Sequence, residues 1–462
     1  MESRFVSSRG WRGFSALVAT MALVAAGCVG ATATGSPSIS PTASPNETAS
    51  ATASASASAA PSATLAAIDL SNVPLAPSGT WKSIRWVSVP SPSLGPVPSG
   101  VETDVTYSKV AGWSRGFVAL SLDTTFTELG GNGTTTTTTT YSSDGVHWHA
   151  GAVFQQHPNI DNMDIRGVFE GPDGLLAVEE SGACGDTWVE GLLTSSDGVT
   201  WQSVDMKKAF GNAVIWNVSG GSTGFVATDT IGQAVWTSRD GQSWQPVKLD
   251  TPAFALSRID DGTAFSAGYV LVGSTELTGA RSCGVAIADP SASPTLTPPL
   301  RVPTVWWSSD GANWAKAELP GAKADYQIHM WVDRLDDHTL VAFDYVDSWA
   351  AWVSRDGRTW TPLAQPAGLD PMALFAYNVQ NGLYMTDGRH GIQLQAVSGD
   401  GSIEHPYAGG LSLSTWTDGG LVPLVQSGDQ PPYDFRIEWA VGPTGVVVTD
   451  AGQLWIGLPS SV

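Results

Sequence analysis

Apolar positions fall along this chain in short runs. Gly116-Phe117-Val118-Ala119, Gly174-Leu175-Leu176-Ala177, Gly268-Tyr269-Val270-Leu271, Thr339-Leu340-Val341-Ala342 and Gly382-Leu383-Tyr384-Met385 form one series. Consecutive rather than alternating apolar residues predict strands covered on both faces, the inner strands of packed sheets. Each run is followed by a polar corner. Ser142-Ser143-Asp144-Gly145-Val146-His147-Trp148 is the first, and its Ser-x-Asp-Gly-x-x-Trp phrase returns from Ser195, Ser238, Ser308 and Ser354. A sixth copy from Ser398 keeps Ser-Gly-Asp-Gly and has Glu404 in place of Trp. The Asp residues, at 144, 197, 240, 310, 356 and 400, stand 53, 43, 70, 46 and 44 residues apart. A period in the forties is too long for one hairpin and fits a four-stranded propeller blade.

Asp-Gly between two β-rich runs predicts a hairpin, because Gly takes positive φ without steric cost. The Asp carboxylate and the preceding Ser hydroxyl are placed to accept N–H groups of their own turn. The Trp then starts the next strand and wedges between sheets. Each phrase therefore reads as a staple between strands 3 and 4 of a blade. Thr444-Gly445-Val446-Val447-Val448-Thr449-Asp450 and Trp455 repeat the stretch Thr223 to Trp236, but no corner follows. Thr80-Trp81-Lys82-Ser83-Ile84 resembles a post-corner strand with no corner before it. The last blade is expected to take its fourth strand from residues 80–90, which removes open sheet edges. The fold class expected is all-β, a propeller of seven four-stranded blades. A further hairpin, Leu411 to Trp416 and Leu421 to Val425, fits neither the sixth blade nor the seventh and leaves six and eight as alternatives.

The phrase resembles the Asp-box, or bacterial neuraminidase repeat, of sialidases, sortilin-type domains and many secreted propellers. The family's usual box has a residue between Asp and Gly; these copies have none, which places the chain with the broad set of Asp-box-like propellers. The resemblance covers roughly residues 80–460. It implies that Asp144, Asp197, Asp240, Asp310, Asp356 and Asp400 maintain the fold, away from any active site.

The N-terminal segment stands apart. Arg4, Arg9 and Arg12 precede a short apolar run, Phe14 to Ala26, and then Ala25-Ala26-Gly27-Cys28. This resembles a bacterial lipoprotein signal, residues 1–27, with cleavage before an acylated Cys28. An ordinary secretory signal is the alternative. Residues 28–78 are rich in Ala, Ser, Thr and Pro and read as a disordered tether, since they offer no surface for a core. The propeller then spans 79–460, exported and lipid-anchored to the outer face of the cell membrane.

Charge narrows the partners. The net charge is −21 and only 14% of residues are charged, which argues against nucleic acid. The seven histidines are dispersed without ligand spacing, so neither a metal nor a cofactor is expected. The distance from inner-strand Gly to corner Asp varies, being 28 residues from Gly116 to Asp144, 16 from Gly224 to Asp240 and 42 from Gly268 to Asp310. The extra length predicts long loops between strands 2 and 3, about 121–136, 180–190 and 274–304, on the face opposite the corners. Cys184 and Cys283 lie in two of them and are expected to pair in an oxidising compartment. The run Thr134 to Thr140 reads as an exposed third strand. Trp236, Trp306 and Trp352 recur at one blade position and read as packing residues rather than sugar platforms.

Two functions fit. One is a non-catalytic, surface-anchored, monomeric recognition module for a protein or glycan, with Glu180, Asp186, Arg281, Asp344, Asp387 and Arg389 as contact residues on the loop face. The other, implied by the resemblance, is a sialidase-like glycoside hydrolase. That chemistry calls for three arginines on a substrate carboxylate, a tyrosine nucleophile with a glutamate base, and an aspartate acid–base. The family's Arg-Ile-Pro motif is missing; the nearest arginine is Arg85. Arg166, Arg258, Arg281, Arg334, Arg389 and Arg436, with Tyr326, Tyr345 or Tyr377, are the available groups. An assembly factor for a membrane complex, as some bacterial Asp-box propellers are, is a third reading.

Overall fold

The computed structural model describes residues 81–89, 102–126, 134–158, 163–183, 186–230, 232–277, 299–344, 350–362, 384–386, 392–396, 411–417, 420–429, 431, 438–450 and 453–460. The chain divides into two units. The first, Met1–Asp69 with Cys184–Asp186, contributes only Asp186 to the described residues, and the sheets are those of the second, Leu70–Ala183 with Thr187–Val462.

Among the described residues, seven sheets follow one another along the sequence, six antiparallel and the last mixed. Blade 1 is Glu102–Trp113, Gly116–Phe126, Thr134–Ser142 and His149–Pro158. Blade 2 is Met163–Gly171, Gly174–Ala183, Asp186–Ser195 and Gln202–Ser203. Blade 3 is Ile215–Gly221, Gly224–Asp229, Val235–Ser238 and Trp244–Pro246. Blade 4 is Ser257–Phe265, Gly268–Glu276, Arg301–Ser308 and Ala315–Ala317. Blade 5 is Met330–Asp336, Thr339–Asp344, Ala350–Ser354 and Thr361–Pro362. Blade 6 is Tyr384–Thr386, Ile392–Ala396, Leu411–Thr417 and Gly420–Pro423. Blade 7 joins Glu438–Gly442, Gly445–Asp450 and Gln453–Ser460 to the N-terminal strand Ser83–Val89. The expected closure is thus present, with Ser83 opposite Ser460 and Ser88 opposite Trp455. Trp81 and Trp455 share one buried cluster.

Five corners join strand 3 to strand 4 in blades 1 to 5 and are built alike. In the first, Ser142 Oγ accepts from the Gly145 N–H (2.8 Å) and donates to Asp144 Oδ1 (3.0 Å). Asp144 Oδ1 also accepts from the N–H groups of Val146 and His147, both at 2.8 Å. The corner glycines all take φ between 71° and 79°, a region that a side chain would disfavour. Each corner Trp donates its indole N–H to the carbonyl of its own corner Gly at 2.8–3.3 Å. Burial pushes the Asp144, Asp197, Asp240 and Asp356 carboxyls up, but the donors within each corner outweigh it and hold them below their ordinary value.

Neighbouring blades meet through shared cores. Ala111, Trp113, Val118 and Leu120 of blade 1 pack with Ile165, Leu175, Leu193 and Trp201 of blade 2. Each fully buried Leu or Ile there stabilises the seam by about 1.5–3 kcal/mol. Close approach depends on missing side chains. A Cβ at Gly171 would stand 2.3 Å from Phe225 Cζ of blade 3, and one at Gly442 would stand 2.6 Å from Phe117 Cζ of blade 1. One blade's ring thus fills space left by its neighbour's glycine. Trp306 and Trp352 are buried and donate to the carbonyls of Ala253 (2.7 Å) and Pro320 (2.8 Å), so both serve packing.

Four expectations need correction. Residues 121–126 and 134–136 are not loop; the blade 1 strands run on until Thr125 pairs with Thr134. β-branched threonines prolong the ladder instead of leaving it. Residues 180–183 and 186–190 of blade 2 are likewise strand. The Thr run is not exposed: Thr137, Thr139 and Thr140 are buried, in a strand paired along both edges. Finally, blade 6 is shifted. Tyr384–Thr386 is its first strand rather than its second, and the Leu411 hairpin supplies its third and fourth. Asp400 lies outside the described residues. With Glu404 in place of Trp, that copy lacks the indole that closes the other five. The leftover stretch, Val425–Gly428, adds a parallel fifth strand to blade 7 beside Ser83–Val89. Gln426 ties the two blades, accepting from Trp86 Nε1 and donating to Leu411 O, both at 2.9 Å.

Candidate functional site: the bulged ring of the central channel

The innermost strands of blades 1 to 4 share an irregularity. Pairing skips one residue between Tyr107 and Lys109, Ile165 and Gly167, Ile215 and Asn217, and Ile259 and Asp261. The skipped residues are Ser108, Arg166, Trp216 and Asp260. Each stands eight positions before the glycine that opens the second strand, namely Gly116, Gly174, Gly224 and Gly268. A bulge bends a strand and re-aims its side chains. In blade 5 the skip lies closer to the turn, between Arg334 and Asp336.

Polar side chains at this level reach from blade to blade. Lys109 of blade 1 donates to Glu438 of blade 7. Arg166 of blade 2 donates to the Trp216 carbonyl of blade 3 (2.6 Å) and lies 3.9 Å from Glu180. Asn217 of blade 3 donates to Asp261 Oδ1 of blade 4 (2.5 Å), and Val332 N–H of blade 5 donates to Asp261 Oδ2 (3.1 Å). Asp260 accepts from Met330 N–H (3.0 Å) and from Arg258 Nε (2.8 Å). Arg258 also donates to the Ile328 carbonyl. Blades 3, 4 and 5 are therefore clasped by two adjacent carboxylates.

Burial sets the electrostatics. It pushes the Asp261 carboxyl up to about 7, against the N–H groups of Val332, Gly262 and Asn217, and the charge of Asp333 pushes the same way. Burial pulls the His329 imidazole down; Asp260 and Asp344 resist and Arg258 assists. The ring thus holds a neutral histidine beside carboxylates at neutral pH.

The residues expected from sequence divide. Glu180 lies in the second strand of blade 2 and is brought to the ring by Arg166. Asp344 ends the second strand of blade 5, is 3% exposed and acts electrostatically on His329. Asp186 heads the third strand of blade 2. Arg281, Asp387, Arg389, Cys28, Cys184 and Cys283 lie outside the described residues, as do Arg436, Tyr345 and Tyr377. Among the arginines considered for a substrate carboxylate, Arg258 is held by Asp260 and a carbonyl, Arg334 lies 3.6 Å from Asp337, and Arg85 is exposed on the N-terminal strand. Tyr326 is half exposed. Among the described residues, no group of three or more His, Cys, Asp or Glu is placed to hold a metal ion.

Sequence reasoning overlooked Lys109, Trp216, Asn217, Asp260, Asp261, His329 and Glu438. A signal for Trp216 and Asp260 was available: each stands eight positions before its inner-strand glycine, as Ser108 and Arg166 do before theirs.

No protein-family model matches the sequence, and no curated protein matches it. Solved structures do show likeness. A YCF48 protein bound to a D1 peptide is similar at 14% identity and a TM-score of 0.35, over 81% of this chain and 100% of that one. A chain of a mitotic checkpoint complex is similar at 11% identity and a TM-score of 0.37, over 81% and 99%. A glycosyl hydrolase from Bacteroides ovatus is similar at 11% identity and a TM-score of 0.25, over 61% and 93%. The fold assignment rests on the chain's own sheet topology: seven successive blades, closed by a sheet drawn from both ends of the sequence.

Proposed function

We propose that this protein is a non-catalytic recognition propeller, carried on a lipid-anchored tether outside the cell, that binds a protein or glycan at the bulged end of its channel. One observation carries the reading. Four blades repeat the same backbone bulge, yet Ser108, Arg166, Trp216 and Asp260 occupy it. A shared frame with varied chemistry around a channel is how repeat folds build a binding surface. The charged groups there are also held by one another and by backbone. Asp261, which does titrate near neutrality, is buried and bonded to Asn217, Gly262 and Val332, which favours fixed contacts over proton transfer to a bound molecule.

The test uses labelled full-length protein on printed peptide and glycan arrays. A discrete set of ligands is expected to bind, and Arg166→Ala or His329→Ala to weaken binding about tenfold or more. Corner variants such as Asp240→Ala are expected to leave it unchanged. Equal binding by all three variants would overturn the proposal. So would turnover of a fluorogenic sialoside that is abolished by Arg258→Ala.

A further inference from the structure

The other end of the channel holds a cavity of about 380 Å³, lined by the innermost strands and their turns. That volume lies in the range of small-molecule sites. It opens beside the corners, since the inner turns and corners contact each other: Thr444 Oγ1 donates to Asp144 O (3.0 Å), and Arg115 donates to Ser196 O (3.0 Å).

Its wall combines two chemistries. Phe169 of blade 2 and Trp439 of blade 7 line it, and each is only partly buried against its own core cluster. Glu170, Asp333 and Asp337 line it too, with Arg334 as the accompanying cation. These groups are held in place. Glu170 Oε1 accepts from Ser114 N–H (3.2 Å), and Asp333 Oδ1 accepts from Arg334 N–H (2.7 Å). The Arg334 guanidinium lies 3.6 Å from Asp337. Among the described lining residues three carboxylates accompany one guanidinium, which makes this part of the wall electronegative, and the net charge of −21 deepens the potential. An anion is repelled there, and a neutral apolar molecule would desolvate carboxylates without replacing their hydrogen bonds. A cation on an apolar body satisfies both halves of the wall, through charge-assisted hydrogen bonds and the faces of the aromatic rings.

We propose that this cavity, between Phe169, Trp439 and the carboxylates of Glu170 and Asp333, binds a small organic cation, an alkylammonium or guanidinium group on a short apolar chain. Asp333, whose charge also acts on Asp261 of the bulged ring, belongs to both regions, so the Glu170 and Trp439 variants are the ones that read the cavity apart from the function proposed above.

The probe is agmatine, titrated calorimetrically into the full-length protein at low and at physiological salt. Saturable binding with one site per chain is expected. Glu170→Gln and Asp333→Asn should each weaken it about tenfold or more, and Trp439→Leu about fivefold. The surface change Asp250→Asn should leave it unchanged. Thermal unfolding of each variant checks that it remains folded; should Asp333→Asn unfold, the Glu170 and Trp439 variants decide the matter. The proposal is overturned by an absence of saturable heat, by several weak sites per chain that vanish at physiological salt, or by an equal loss in Asp250→Asn.

Discussion

The five corners and the four bulges make an instructive pair. Both are backbone features repeated in successive blades, and both draw carboxylates into hydrogen bonds. At the corners the side chains are nearly constant, and the bonds that the Asp carboxylate accepts come from within three residues of it. At the bulges the backbone is constant and the side chains are not: Arg166, Trp216 and Asp260 share one station. Their bonds cross between blades over 43 to 70 residues of sequence, or more. A local device can be copied with its residues, because everything it needs is in the phrase. A device that reaches a neighbour must suit that neighbour, so each copy diverges.

The comparison predicts that the bulges are the costlier to disturb. Asp261→Ala leaves the Val332 N–H and the Asn217 amide without their acceptor inside the protein. Removing one side of such a buried network costs about 3–5 kcal/mol, read as a fall in the denaturant midpoint. Asp261→Asn keeps an acceptor for Gly262 and Asn217 but sets an amide N–H against Val332, so its cost is smaller. It also isolates a pH effect. In the folded chain Asp261 titrates near 7, against an ordinary 3.8. The folded state therefore holds a proton between about pH 4 and pH 7 that the unfolded chain has released, and stability falls as pH rises through that window, levelling above it. His329, pulled down by burial, works oppositely, since stability is lost as pH drops through its ordinary 6.5. Subtracting Asp261→Asn from the parent removes the His329 contribution. The difference should favour the parent increasingly toward low pH, by up to about 1.4 kcal/mol per unit. A flat difference from pH 4 to 7 would show that Asp261 is ionised throughout and that its three N–H donors prevail over burial.

The same contrast explains what could be read from sequence. The corners were legible because Ser142, Asp144, Gly145 and Trp148 are adjacent in the chain and their bonds are local. Closure was legible because Thr444 to Trp455 repeats Thr223 to Trp236. Blade 6 was misread because its Ser398 phrase shares the corner sequence, while the pairing of Leu411–Thr417 with Ile392–Ala396 is long-range. Thr125 pairing with Thr134 was hidden too: the run Thr134 to Thr140 reads as a strand, but nothing local in 121–126 says how far its partner extends. The ring stayed invisible for the reason that makes it interesting. The meeting of Asn217, Asp261 and Val332 is a property of three blades in register, and no local phrase encodes it. Arg166 and Arg258 were singled out only as arginines, and Glu180 only as a charge near a presumed loop.

A middle-sized effect tests the claim that the corners are interchangeable. Asp197→Ala, Asp240→Ala and Asp356→Ala each remove an acceptor from two backbone N–H groups and a Ser hydroxyl. These groups are partly open to water, so each loss should cost about 1–2 kcal/mol, comparable with loss of a helix N-cap. The three values should agree within about 0.5 kcal/mol, and two changes in separated blades should add. A corner whose loss costs twice the others, or that alters ligand binding, would break the symmetry.

The smallest stability effect belongs to Arg166, and there the two devices should separate most cleanly. Its side chain is one-quarter exposed and its ion pair with Glu180 is long, at 3.9 Å. Such a pair contributes little in water-accessible surroundings. The remaining bond, to the Trp216 carbonyl, is a single contact that solvent can replace at the rim of the channel. Arg166→Ala should therefore shift stability by only about 0.5–1 kcal/mol, while removing the one cation that blade 2 presents at the bulge station. Measured on an array-identified ligand, affinity should fall at least about tenfold. Arg166→Lys keeps the charge without the planar fork, so it should recover only part of that loss. A loss of binding that tracks the small loss of stability across Arg166→Ala, Arg166→Lys and the corner variants alike would make the ring a structural clasp and nothing more. Divergence of the two scales at Arg166, with coincidence at the corners, is the behaviour expected of a station whose backbone is held fixed so that its side chain can vary.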